Sequence, residues 1–112
     1  MIARFWRATT RPGMGESYFD YLQETGLREF RQTPGFRGAL VLRGERDGAG
    51  DYVILSLWSD VEAVKRFAGD DPGRAVYYPD DARYFPESEM RDRLELLEVV
   101  AAEGLGREGS DV

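Results

Sequence analysis

The sequence predicts a single α+β domain of ferredoxin-like type, β-α-β-β-α-β, with four antiparallel strands and both helices on one face. Three observations carry this. Short apolar segments of strand length are interleaved with two segments of helical period, in that order. The turn-forming stretches "TRPG", "TPG" and "RDGAGD" separate them. At 112 residues the chain has room for one core and little surplus.

Each element has its own local reason. "IARFWRAT" (2–9) alternates loosely and stops at a Pro-Gly turn, which predicts the first strand. From about Gly15 to Gln32 a helix is expected, with Phe19, Leu22 and Phe30 on one stripe and Gly26 between them. A glycine there costs about 1 kcal/mol against alanine, so it implies a close backbone approach or a kink. "FRGALVLRGE" (36–45) and "DYVILSLWS" (51–59) read as a hairpin joined by the glycine-rich loop 46–51. "SDVE" then opens a second helix, with Ser59 as N-cap, Glu62 closing a capping box and Gly69 as the stop. Val61, Val64 and Ala68 are expected on its buried side, with Phe67 adjacent. "RDRLELLEVV" (91–100) supplies the fourth strand. The domain is therefore expected over 1–100, and 101–112, polar and glycine-rich, as a frayed tail.

Right-handed crossovers place both helices on one side of such a sheet and leave the other bare. In the third strand Val53, Leu55 and Leu57 form a uniformly apolar set suited to lie under the helices. Tyr52, Ile54, Ser56 and Trp58 form the alternate set, expected on the bare face. Such a face is too apolar to be left to water. A homodimer is predicted on that ground, two sheets enclosing a cavity.

Composition closes off several functions. The chain has no cysteine and no histidine, which removes disulfides, thiolate catalysis, Ser-His-Asp triads and His-ligated metals. Its one lysine, Lys65, sits beside Arg66 in a predicted helix, a poor place for a Schiff base. A net charge of -6 argues against nucleic acid as a partner. No apolar run spans a bilayer and no signal peptide is evident, so a cytoplasmic location is expected. "GERDGAGDY" has neither the spacing nor the strand-to-helix setting of a nucleotide loop. Glu95 and Glu98 fall on opposite strand faces, so they form no acid–base pair; Glu95 shares its face with Arg93, which suits a solvated ion pair.

Residues 69–87, "GDDPGRAVYYPDDARYFPE", follow neither period. Four aromatics beside four aspartates predict a lid over one end of the sheet, its rings buried and its hydroxyls wet. Asp70-Asp71 and Asp80-Asp81 lack the spacing of a cation site, and capping or solubility explains them.

Taken together, "MIARFWR", "TGLREFRQTPGFRG", "LSLWSDVEAVKRFAG" and "AVYYPDDARYF" resemble the antibiotic biosynthesis monooxygenase-like family, whose members pair as dimeric α/β barrels. The resemblance covers about residues 1–100. It implies a small-molecule protein. In one branch, aromatic phenols or anthrones are oxidised by molecular oxygen with no flavin, metal or other cofactor. That branch's strand-end tryptophan matches Trp58. Its asparagine four residues earlier corresponds to Ile54 and its tyrosine six residues later to Val64, so two polar groups are absent. Tyr77, Tyr78, Tyr84, Arg4 and Arg83 are the candidates to replace them. A second branch degrades haem through an iron-binding histidine that this chain lacks, and its distorting tryptophan falls on Phe67.

The expectation is thus a cofactor-independent monooxygenase acting on an aromatic or enolisable substrate. Tyr78, Tyr84 and Arg83 are its catalytic candidates. Arg4, Trp6, Tyr52, Ser56, Trp58, Phe67 and Tyr77 are its binding candidates. Both tryptophans read equally as packing residues, and a tyrosine is a poor base unless an arginine stabilises its phenolate. The alternative is a non-catalytic dimeric barrel, for which the loss of polar groups at Ile54 and Val64 is no handicap.

Overall fold

A computed structural model describes residues 1–90 and 94–105. In chain order the elements are β1 (Ile2–Thr9), α1 (Gly15–Glu24), α2 (Gly26–Gln32), β2 (Phe36–Arg46), β3 (Ala49–Trp58), α3 (Val61–Ala68), α4 (Asp81–Tyr84), a 3-10 turn (Glu87–Glu89) and β4 (Leu94–Glu98). The strands form one antiparallel sheet in the order β2-β3-β1-β4. This is the ferredoxin-like arrangement. No helix among the described residues is long and apolar enough to cross a membrane. Residues 101–105 are exposed; 91–93 and 106–112, with Arg93 and most of the expected tail, lie outside the described residues.

Local differences from the expectation have local causes. The first helix is two, broken at Thr25, whose ψ of -94° is not helical. The Thr25 hydroxyl donates back to the Tyr21 carbonyl at 2.8 Å, and the amide shares the Tyr21 and Leu22 carbonyls. Gly26 starts the next turn, where a Cβ would meet Leu22 at 3.3 Å and the Tyr78 ring at 4.0 Å. Both uses foreseen for that glycine, kink and close approach, are present. The hairpin loop shrinks to two residues, Asp47 (φ 52°) and Gly48 (φ 81°), since Arg46 already pairs with Ala49. Two left-handed residues match the strand twist, as Asp-Gly turns do.

The α3 N-cap is Asp60, not Ser59: its Oδ1 accepts the Ala63 amide at 2.9 Å. The Ser59 amide instead donates to the Gly35 carbonyl. The one-residue shift buries Ala63 with Val64 and leaves Val61 exposed. Asp60→Ala is expected to cost about 1 kcal/mol, read as a lower Tm, with Ser59→Ala nearly neutral.

In β3 the two faces are the reverse of the expectation. Tyr52, Ile54, Ser56 and Trp58 are buried beneath the helices, together with Arg4, Trp6 and Ala8 of β1. The reason is volume and bonding. Large rings fill the space between sheet and helix, and their polar atoms find partners there. Trp58 Nε1 donates to Ser56 Oγ at 2.9 Å and the Tyr52 hydroxyl to the Gly15 carbonyl at 2.5 Å. Trp58 stacks on Phe67 and meets Phe30 edge-on. The bare face carries Phe5, Leu40, Leu42, Leu55, Leu57 and Leu97 instead. Leu42 and Leu97 are about half exposed, at 51% and 49%. Glu95 lies on this face too, opposite Phe5.

Candidate functional site

Arg4 is the unusual residue of this fold. Alternation in β1 sends its side chain inward beside Trp6, where it is only 5% exposed. Its Nη2 donates to the Arg74 carbonyl at 3.1 Å, and the guanidinium lies 5.3 Å over the Phe67 ring. Nε is buried, with no hydrogen-bond partner among the described residues. Among the described residues no carboxylate forms an ion pair with it. Burial pulls the guanidinium down to about 10, a shift that Tyr78 partly opposes, so it stays charged at neutral pH. A buried cation with an orphaned donor costs several kcal/mol. It needs a reason.

The reason lies in front of it. A cavity between β1, β3 and the helices is lined by Arg4, Trp6, Tyr18, Leu22, Thr25, Gly26, Phe30, Ile54, Phe67, Val76, Tyr78 and Asp81. The segment after α3 forms its roof. Among the bonds that hold that roof down are Arg4 to the Arg74 carbonyl, the Tyr78 hydroxyl to the Glu29 carboxylate, and the Asp80 amide to the Tyr21 hydroxyl. The cavity is only about 40 Å³, enough for a few waters.

Tyr78 is held as a donor. Desolvation first, then its bond to Glu29, push the phenol well above its ordinary range, and Arg4 only partly opposes this. Tyr18, buried in the same wall, is pushed up by desolvation and then by Asp81. Neither phenol is a base at neutral pH.

Of the residues singled out from sequence, the cavity gathers Arg4, Trp6, Phe67 and Tyr78. Trp58 and Ser56 lie one layer behind, bonded to each other. Tyr52 is turned toward Gly15 and toward Arg43, which donates to its hydroxyl at 3.5 Å. Tyr84 packs on Tyr18 and Tyr21, away from the cavity. Tyr77 and Arg83 are exposed. Asp81 went unrecognised: it is 6% exposed and lines the cavity, where solvation or capping was expected. Its Oδ2 accepts the Tyr78 amide at 2.7 Å. An Asp-Asp pair reads as solvent-facing; the only available hint was that the next turn buries Tyr84 and Phe85.

The chain matches the family model of the antibiotic biosynthesis monooxygenases over residues 1–76. It belongs to that family. The match takes in β1 through β3, α3 and the start of the roof, and therefore most of the cavity. SnoaB, described as a cofactor-independent oxygenase from Streptomyces nogalater, is similar in structure with a TM-score of 0.59 and 20% identity, covering 92% of this chain and 96% of that one. A point mutant of MhuD, solved with two manganese protoporphyrin IX bound per active site, gives 0.53 and 20%, covering 93% and 99%. At such identities the likeness is one of fold. No curated protein matches the chain in sequence.

Proposed function

We propose that this antibiotic biosynthesis monooxygenase-family protein oxidises an aromatic or enolisable small molecule with molecular oxygen and no bound cofactor. The carrying observation is Arg4, a buried cation with an orphaned Nε–H in a cavity whose lining includes Trp6, Phe30 and Phe67, which suits an anionic oxygen on an aromatic ligand. An enolate or phenolate held there is electron-rich enough to reduce oxygen itself. A substrate CH₂ plus O₂ gives a carbon-bound hydroperoxide, which loses water to leave a carbonyl. The protein's part is to hold the anion, exclude water and protect the peroxide. SnoaB's description as a cofactor-independent oxygenase supports this chemistry in the same fold. The apolar bare sheet face supports pairing of two copies as a homodimer.

One observation favours the second reading, a non-catalytic small-molecule or purely packed barrel. The cavity is far smaller than a ligand pocket of roughly 300–1,000 Å³. Oxygen uptake separates the two. With an anthrone in a closed cell, consumption well above the spontaneous rate is expected, with one labelled atom from ¹⁸O₂ in the quinone product. Uptake no faster than the uncatalysed rate, with the anthrone bound, supports the non-catalytic barrel.

A further inference from the structure

We propose that Asp81 is the general base of this cavity, taking a C–H or O–H proton from a neutral enolisable ligand while Arg4 holds the resulting anion. The assignment rests on the oxygenase reading and names the group that starts it. Two neighbouring facts support it. Asp81 and Arg4 line one cavity, yet no ion pair between them is present among the described residues. A neutralised pair would leave neither group free to act. Kept apart, one can accept a proton and the other can hold the charge left behind.

The surroundings of Asp81 suit a base. Facing it are the phenols of Tyr18 and Tyr21 on α1, with Tyr78 and Asp80 on its own segment. Across the cavity the cation is Arg4, on β1. Desolvation raises the Asp81 carboxyl above its ordinary range, and Asp80 adds to this while the Tyr78 amide opposes it. A carboxylate raised in this way is a stronger base at neutral pH than one in water. The Tyr78 amide also fixes its rotamer. The step balances simply: the carboxylate becomes a carboxylic acid, and the electron pair of the broken bond stays on the ligand as an enolate or phenolate. No oxidant is consumed.

Asp81→Asn isolates the role, because an asparagine oxygen can still accept the Tyr78 amide. A raised carboxyl gives stability that is present below its unfolded value and lost as pH rises through the folded one. The variant should therefore melt no lower than the wild type at acidic pH and higher at neutral pH, which checks its fold. The probe is an anthrone in deuterated buffer under argon, with hydrogen exchange at its CH₂ followed by NMR and binding by tryptophan quenching. The wild type is expected to accelerate exchange, with an acid limb set by a carboxyl above its ordinary range. In Asp81→Asn exchange should fall at least about 100-fold, the limb should vanish and affinity should hold. Undiminished exchange in a folded, binding variant overturns the assignment and leaves the oxygenase reading standing. Failure of the wild type to bind or exchange the anthrone overturns both.

Discussion

Arg4→Met is expected to lower kcat/KM for an anthrone by about 100-fold to 1,000-fold while raising Tm. The two effects have one cause. Arg4 is a buried cation with a partnerless Nε, so in the absence of ligand it destabilises the fold. Methionine has similar length and no charge, and removing an uncompensated buried charge relieves its desolvation penalty. The bond lost from Nη2 leaves the carbonyl of Arg74, an exposed residue, to water. A preorganised donor to a developing oxyanion contributes about 100-fold to 1,000-fold in rate. Thermal melts and steady-state oxygen uptake on the same preparation read both. A variant that melts lower and keeps its activity would mean that Arg4 serves only as a strut to the roof.

Leu55→Glu is expected to convert a dimer into a folded monomer. Leu55 sits at the centre of the bare face, opposite Phe5 on one side and Leu40 on the other. It is only half-buried within one chain, so the charge is tolerated by the monomer. In a dimer it would be desolvated between two apolar sheets without a partner. Light scattering at micromolar concentration decides this. A wild-type protein that is already monomeric there would remove the homodimer proposal.

Much of the fold was legible because strand alternation and turn chemistry are local. Residues 2–9 show strand, turn and length in the sequence itself. Two features were not. Period-two alternation divides β3 into two sets without saying which faces inward. The aliphatic set looks like a core by hydrophobicity, yet Tyr52 and Trp58 have the volume to fill the gap beneath the helices and find bonds inside it. The site was legible only in part. Arg4, Trp6, Phe67 and Tyr78 converge because strand register and the roof bring them together, and Asp81 joins them only through a four-residue helix after an irregular stretch. No periodicity reaches across such a segment, so its buried aspartate was indistinguishable from its solvated neighbour.

The most direct measurement of the site is a titration of tryptophan fluorescence with an anthrone, on the wild type and on Arg4→Met. Trp6 lines the cavity, and Trp58 stacks on Phe67, which lines it too. Saturable quenching at micromolar anthrone is expected for the wild type, and the anthrone's enolate, formed at alkaline pH under argon, should bind the variant about 100-fold more weakly. No saturable response, or equal binding of the enolate by both proteins, would contradict a ligand site built around Arg4.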